Sequence, residues 1–585
     1  MIREITTQLH TIFLLVGPSG CGKSTFAERY LKPQLDLIVE GAQIVSSDSI
    51  RNELIGTQYH KHDIEMLYVS DQAFNLLYAK VEALSSFPVN APFIIVDTIG
   101  LSEDFRKDIR NIALKNQYHI EVIVFTYPDR AMYLSYLDAH YNIKLVTKHI
   151  TRLNKEVLRE LGKKTYNRVH RVRGRDFENY KIVVEDAELY KRCMLDNNTQ
   201  YTVIGDIHGC LDELKELIIL NKFTIDGDYI QPADGRKIIL LGDLIDKGPK
   251  SRELLEFVCN NIDMFKIVWG NHENFIYKYF HKELDLKGID DELIQTYFTS
   301  VAEFKDDLEA LARLEQLYEH ASPFLKGRYF YVSHAVCKNK YLGKLDSTSQ
   351  RKQRVGLGGK SEDGRLSADD YLAKYEETHA YMQEEARSMH PYHIFGHDAF
   401  AKRIELKNKI GIDTGCVSGG LLSSVVVNGM DSLFFQAIKS KQPATEALAR
   451  PPFSTKPDEL KFIELTEYEI ARINNLRDNK VNFIAGTISP AHKDMDKNDL
   501  ESLEKALDYY KSAHVKQVML QIKYMGSRCT LYLFKDIEKS YATSRNGYLI
   551  KQVEMMPVYK ALHERLLAKM DAEQISMMII NGELL

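Results

Sequence analysis

Cysteine is scarce and scattered: Cys21, Cys193, Cys210, Cys259, Cys337, Cys416 and Cys529 are seven, an odd number, and never form a CxxC pair. That argues against a disulfide framework and a cysteine zinc site, and fits a reducing compartment. Long apolar runs are missing as well. No stretch approaches the roughly 20 apolar residues of a membrane span. The run Ile12 to Val16 near the start is too short for a secretory signal and lacks its cleavage site. The expectation is a cytoplasmic protein with no membrane contact. Nor does charge of one sign dominate: 77 Lys+Arg against 82 Asp+Glu give 77 − 82 = −5. The strongly basic signature of many nucleic-acid binders is therefore absent from the total, although a local basic surface fits inside a balanced sum.

What is present is an ordinary globular composition, 44% hydrophobic and 27% charged over 585 residues. At roughly 150 residues per domain, that is material for about three or four domains. No repeat or low-complexity tract is visible. A polar stretch, Asp186 to Gln200, and a second, Lys439 to Pro457, which holds four of the 15 prolines, read as boundaries. They divide the chain into blocks at 1–190, 200–440 and 455–585. In the first block TIFLLV, FIIVDT and EVIVFTY alternate with helical stretches, and in the second YTVIGD, KIILLGD, FKIVWGN, YFYVSH and YHIFGH repeat the pattern. Both predict parallel α/β sheets. The strands of the second block run into Asp, Asn or His, at the end of a parallel strand where open α/β sheets place their sites.

In the first block Gly17-Pro18-Ser19-Gly20-Cys21-Gly22-Lys23-Ser24-Thr25 matches the P-loop pattern between a strand and a helix. Its glycines let backbone N–H groups curl around phosphates, with Lys23 reaching the β/γ oxygens and Ser24 placed to ligate Mg²⁺. In IVSSDSIR, Asp48 can take the proton of an attacking hydroxyl and Arg51 can hold an acceptor phosphate; Asp48 reads equally well as a helix cap. IIVDTIGLSEDFRKDIR adds Asp97, Thr98 and Arg106, as in P-loop kinases that fix the nucleotide from this side. Between Lys144 and Arg175 eleven Lys/Arg face Glu156 and Glu160. This segment, after the last expected strand, reads either as a helical lid, with Arg152 and Lys148 as its candidates, or as a polyanion track.

The second block carries GDIHGC, GDLIDKGP, GNHE, SHA and GH in order, supplying Asp206, His208, Asp243, Asn271, His334 and His397. Mixed carboxylate, amide and imidazole ligands suit two divalent cations, with Asp243 between them. His272 is placed to protonate a leaving oxygen. The block resembles the calcineurin-like metallophosphoesterases, including its closing IDTGCVSGGLLSSVVV. Where their protein-phosphatase branch usually has DRG, this chain has Asp246-Lys247-Gly248. A point charge, Lys247, thus replaces a bidentate fork at a phosphate contact.

In the third block Lys523 ends an apolar run and precedes Gly526-Ser527-Arg528. It resembles motif I of the ATP-dependent RNA ligases, whose lysine takes AMP. Ser544-Arg545-Asn546-Gly547 resembles the next motif, and IINGELL the one whose acidic residue, here Glu583, contacts the ribose; Asn581 stands where Asp is more usual. The family's later motifs do not follow before Leu585. The expectation is a domain completed by another subunit, or a remnant that binds without sealing.

Taken in order, the three blocks resemble the bacterial polynucleotide kinase-phosphatases of RNA repair. The resemblance implies a multidomain α/β chain: a P-loop kinase with a parallel sheet, a metallophosphoesterase αββα sandwich, and a partial α+β nucleotidyltransferase. It resolves Asp48 in favour of the base. It further implies phosphorylation of 5′-OH ends with ATP and Mg²⁺, and removal of 2′,3′-cyclic phosphate or 3′-phosphate with two divalent metals, Mn²⁺ expected. The expected partners are broken tRNA-like RNA ends, a ligase-completing subunit and a second copy of the chain. The alternative is a small-molecule or protein kinase fused to a nucleotide or protein phosphatase.

Overall fold

The computed structural model describes residues 2–60, 63–137, 140–163, 165–231, 235–284, 294–295, 298–356, 380, 382–386, 391–400, 402–429, 432–445, 467–481, 493–494, 497, 499–519 and 526–584. The chain forms two compact units, Met1–Ser454 and Thr455–Leu585.

The first unit opens with β1 (Arg3–Thr7), β2 (Thr11–Val16), β3 (Gln43–Ser46), β4 (Phe93–Asp97), β5 (His119–Thr126), β6 (Arg168–Arg173) and β7 (Tyr180–Val184). Strands β2 and β4 are buried at every position, as the centre of a parallel sheet covered on both faces requires. The sheet order is β3-β4-β2-β5-β6, all parallel, while β1 pairs in parallel with β7 outside it. The carboxyl ends of β2, β3 and β4 therefore deliver the P-loop, Asp48 and Asp97 to one edge. One expectation is corrected here. The basic segment after the third strand-like run is helical only in its first half, because Arg168–Arg173 continues the sheet as β6. In RVHRVR the buried Val172 lies between exposed Arg171 and Arg173, an alternation that suits an edge strand and not a helix.

The second block contributes β8 (Tyr201–Ile204), the hairpin β9 (Thr224–Asp226) and β10 (Tyr229–Gln231), β11 (Lys237–Leu240), β12 (Phe265–Ile267), β13 (Leu325–Lys326), β14 (Phe330–Val332), β15 (Tyr392–Phe395), β16 (Ile404–Leu406), β17 (Lys409–Gly411), β18 (Leu421–Val427) and β19 (Leu433–Lys439). They form two five-stranded sheets, β12-β11-β8-β18-β19 and β13-β14-β15-β17-β16, each with a parallel trio. Along β11 the side chains sort by the two-residue period of a strand. Ile238 and Leu240 pack with the helices Leu211–Leu220 and Ser251–Asn260, and Ile239 faces Val332, Ile394 and Ile410 of the other sheet. A further cluster of Val336, Met382, Phe395 and Ile404 covers the second sheet.

The first two blocks share a core. Phe324, Tyr331, Cys337, Leu342 and Leu345 belong to the same cluster as β2, β4 and β5. Asn90 Nδ2 donates to the Leu342 carbonyl at 3.2 Å and Gln117 Nε2 to Asp346 at 3.0 Å. At the centre, fully buried Lys344 donates to the Asn116 carbonyl and lies over the Tyr118 ring at 4.4 Å. Burial pulls its ammonium down to about 7, against the opposing pull of Asp346 and with help from Lys340. An unfolded lysine titrates near about 10.4, so between those values the unfolded chain holds the extra proton and stability rises with pH. Lys344→Met is expected to abolish that rise. In thermal melts from pH 6 to pH 10, its advantage over the wild type should be greatest at the acid end, a few kcal/mol in order of magnitude, and shrink as pH climbs through that window.

The second unit contains the helices Glu467–Asn479, Leu503–Ser512 and Met556–Ala572, and a three-stranded antiparallel sheet, β21-β20-β22, from β20 (Ser527–Phe534), β21 (Tyr541–Ser544) and β22 (Met577–Leu584). Its core is Cys529, Leu531 and Leu533 against Met555, Tyr559 and Met570.

Candidate functional site

The P-loop follows β2, and its helix starts at Lys23 behind Gly22, whose φ of +91° suits glycine. Lys23 Nζ is buried inside the loop, donating to the carbonyls of Gly17 and Pro18 at 2.9 and 2.8 Å. Ser24 Oγ donates to Asp97 Oδ2 at 2.7 Å. A hydroxyl and a carboxylate side by side at the start of a P-loop helix suit the coordination shell of a nucleotide-bound Mg²⁺. Tyr127 O–H donates to the Cys21 carbonyl at 2.7 Å, and Arg175 braces the Gly20 carbonyl while stacking on Tyr136 at 4.1 Å. Thr25 is exposed on the helix.

One cavity of about 310 Å³ gathers Ser19, Lys23, Asp48, Arg51, Asp97 and Thr98, closed on the far side by Leu145, His149 and Arg152. Asp48 is not the helix cap. Ser46 caps the helix Ser47–Ile55 by accepting from Ser49 N at 3.5 Å, which leaves Asp48 in the cavity wall, paired with Arg51 Nη1 at 3.0 Å. Two sequence candidates lie elsewhere. Arg106 is 1% exposed, donating to the Gly100 carbonyl at 2.8 Å and ion-paired with Glu160, so it ties a loop to the lid helix instead of facing the cavity. Lys148 is exposed, and its neighbour His149 lines the cavity in its place. The sequence signal for His149 was the helical phase: it lies three residues, nearly one turn, before Arg152.

In the second block β8, β11, β12, β14 and β15 each run out into a loop bearing site residues. Asp243 is common to two groups whose ligand atoms lie within 4.8 Å of one another: His208, Asp243 and His272, and Asp243, His334 and His397. Asn271 joins the second group through its Oδ1, 2.9 Å from His334 Nε2, and His397 Nδ1 lies 3.2 Å from the same nitrogen. Asp206 Oδ2 accepts from His397 N at 2.9 Å, and a Cβ at Gly396 would run into Oδ1. His208, Asp243, Asp246, Lys247 and His397 all adopt positive φ, a strain that persists where surrounding structure holds it for function.

Electrostatics test whether these residues fit cations. Burial raises Asp206 well above the carboxylate range, and Asp413 adds to it. Burial also raises Asp413, to about 6. Burial would raise Asp243 too, but the imidazoles of His334 and His272 overrule it and hold it well below its usual range. Burial and the Lys247 ammonium, whose Nζ is 3.2 Å from His208 Nε2, push His208 down, towards the neutral form that binds metals. Asp206 Oδ1 is buried with no hydrogen-bond partner among the described residues. Burial and its surroundings also push His397 down, whereas burial at His334 is outweighed by the Asp243 carboxylate, which raises it to about 10. Two imidazoles held towards neutrality, a third whose proton a cation would replace, crowded carboxylates and an orphaned oxygen fit divalent cations, which would be held by Asp206, His208, Asp243, Asn271, His334 and His397, with His272 beside them.

Three supporting acids escaped the sequence reading. Glu273 is buried and accepts from the amides of Asp243, Leu244 and Ile245 at 3.0, 2.5 and 3.1 Å, fixing the turn that aims Asp243. Asp413 sits at the end of β17, beside Asp206. Asp246 Oδ2 lies 2.6 Å from His272 Nδ1, while its Oδ1 accepts from Thr299 and Ser300. All three lie inside motifs already noticed, but nothing in those motifs distinguishes an acid that orients from one that ligates. Asp246→Asn is expected to lower phosphoesterase kcat by about 10–100-fold with KM little changed, as for other groups that orient a site residue. Steady-state kinetics on a chromogenic phosphodiester would measure it.

In the second unit Lys523 lies outside the described residues. Arg528 pairs in register with Glu583 and donates to Asn581 Oδ1 at 3.3 Å. Arg545 follows Ser544, the register partner of Cys529. The sheet thus brings Arg528, Arg545 and Glu583 to one end.

Comparison with known proteins gives two family matches: a calcineurin-like phosphoesterase model over residues 199–355 and an AAA domain model over residues 12–138. The bis(5′-nucleosyl)-tetraphosphatases PrpE of Bacillus velezensis and Geobacillus thermodenitrificans are 31% and 30% identical over 235 residues, 38% of this chain and 87% and 88% of theirs. Among solved structures, the Pnkp1/Rnl/Hen1 RNA repair complex has a chain 31% identical over 20% of this chain and 30% of its own, with a TM-score of 0.17. A metallophosphoesterase from Sphaerobacter thermophilus is 14% identical over 42% of this chain and 89% of its own, with a TM-score of 0.24.

Proposed function

We propose that this chain, which belongs to the calcineurin-like phosphoesterases and joins to that domain an AAA-type P-loop domain, heals both ends of a broken RNA strand. The first block phosphorylates a 5′-OH end with ATP; the second removes a 2′,3′-cyclic phosphate or 3′-phosphate. The observation that carries the reading is the single cavity in which a phosphate-holding Lys23 faces Asp48 and Arg51. A nucleotide-hydrolysing P-loop protein has no need of this second, acceptor-side pair of base and cation. Asp48 takes the proton of the attacking hydroxyl, Arg51 holds the acceptor's adjacent phosphate, and Lys23 and Arg152 neutralise the transferring group.

In the second block Asp206, His208, Asp243, Asn271, His334 and His397 would hold two divalent cations, whose chemistry when bound would be to polarise the phosphate ester and activate water for its attack. Lys247 steadies the ester's oxygens. His272, oriented by Asp246, donates a proton to the leaving oxygen. In the second unit, the common end of Arg528, Arg545 and Glu583 supports a ligase-like nucleotide site, either completed by another subunit or a remnant that binds without sealing.

The test is a stem-loop RNA broken in its loop to leave a 5′-OH, incubated with γ-labelled ATP and Mg²⁺ and followed on a denaturing gel. Label should enter the RNA, and failure of label to enter would overturn the reading. The tetraphosphatase relatives favour a second reading for the phosphoesterase block alone, as a nucleotide hydrolase. Preference for a dinucleoside tetraphosphate over a 2′,3′-cyclic phosphate RNA end, measured as kcat/KM, would select it.

A further inference from the structure

The Proposed function leaves most of the basic segment unused, and the structure shows how it is arranged. The helix beginning at Ile143 runs through a π-helical turn, Leu153–Val157, to Leu161. Its buried face is Val146, Ile150, Leu153, Val157 and Leu161. On the exposed side Lys144, Lys148, Arg152, Lys155 and Arg159 follow one another at intervals of four, four, three and four residues. That is the spacing of a single helical face, about 22 Å long at 1.5 Å per residue. The segment's two acids offset little of it: Glu160 is taken up by Arg106 from the protein side, and Glu156 pairs with one member of the stripe, Arg152, across 3.4 Å on the surface. At the far end Arg171, on the edge strand β6, lines a depression with Leu158, Leu161 and Val169. Midway along the stripe, Arg152 lines the kinase cavity.

We propose that this stripe is a binding track for the phosphodiester backbone of a single RNA strand, carrying the acceptor strand away from the kinase cavity. The inference rests on the RNA reading above and extends it from the terminal nucleotide to the nucleotides behind it. Continuity decides the occupant. The stripe meets the wall of a cavity that holds a phosphoryl acceptor at Arg152, so a polyanion running on from there past Lys155 and Arg159 to Arg171 is the remainder of that acceptor. Its length suits the run of several nucleotides over which a basic groove tracks a single strand. Each cation that neutralises a phosphate adds about 0.7 to the salt slope of single-strand binding.

The test compares the full-length wild type with Lys155→Ala/Arg159→Ala/Arg171→Ala, three surface positions outside the catalytic machinery. Fluorescence anisotropy with a 20-nucleotide 5′-OH RNA, titrated in KCl, should show at least a tenfold loss of affinity in the variant. The log–log salt slope should fall by about 2. Phosphorylation of a trinucleotide should be unchanged, and KM for the 20-mer should rise without loss of kcat. Unchanged 20-mer affinity and slope would overturn the track, even with RNA phosphorylation intact. If the variant loses RNA binding but the wild type phosphorylates neither RNA, the track stands and the kinase reading falls. Loss of binding to phosphatidylserine vesicles, with RNA binding retained, would overturn the track in favour of a membrane surface.

Discussion

Asp243→Ala is expected to abolish metal-dependent phosphoesterase activity while leaving 5′-end phosphorylation at the wild-type rate. The size follows from the position of the carboxylate. Outer partners of metal ligands typically cost about 10–100-fold when removed, and Asp243 is common to both ligand groups, so the loss should reach about 10³-fold or more. The same substitution strips His334, His272 and His208 of the anion that faces each of them within 4 Å. It also leaves Glu273 gripping a turn that no longer aims anything. Divalent metal bound per chain, measured by atomic emission after gel filtration, should fall with the activity, and Glu273→Gln should produce a milder version of both losses. An Asp243→Ala protein that keeps its metal content and its turnover would remove Asp243 from the site. A kinase rate that fell in parallel would instead point to damage through the core the two blocks share.

Much of this arrangement was legible in the sequence because parallel strands announce themselves twice: by a continuous apolar run, and by the polar residue that ends it. KIILLGD and YHIFGH place Asp243 and His397 just past the carboxyl ends of buried strands, and the loops after β11 and β15 carry them. Spacing could not show which polar residues at those ends ligate and which orient. Asp246 and Asp243 are both buried and three residues apart, yet one faces the imidazole edge of His272 and the other sits among four imidazoles. Arg106 misled for the opposite reason: an arginine in the first turn of the helix after the strand end reads as a phosphate clamp, and only its 1% exposure and its bond to the Gly100 carbonyl reveal a loop tether. The basic segment was visible as charge. Its division into a striped helix and an edge strand depended on the change of period from 3.6 to 2 near residue 168, which a charge count does not register. Lys344 was invisible, since a lysine in a polar stretch of sequence gives no sign that a neighbouring block will cover it.

The second large effect belongs to Asp48. Asp48→Asn should lower the rate of 5′-hydroxyl phosphorylation by about 10²–10⁴-fold, the range over which a positioned base acts, with ATP affinity and phosphoesterase activity unchanged. Asparagine keeps the shape, so the loss isolates the basicity. It is a sharp test because the bland role for this residue is already filled: Ser46 caps the helix, and Asp48 lies in its first turn, on the cavity wall, beside Arg51. Arg51 should respond differently. Its guanidinium is held by Asp48 at 3.0 Å and lies 5.4 Å from the centre of the Phe74 ring, so Arg51→Lys removes a fixed fork and leaves the charge. The expected outcome is a higher KM for the RNA acceptor with kcat largely kept. Single-turnover phosphorylation at saturating ATP separates the two. If Asp48→Asn raised only the acceptor KM, the pair would be a docking clamp, and the hydroxyl's proton would have to leave by another route, for which Asp97 and His149 are the other proton-accepting side chains lining the cavity.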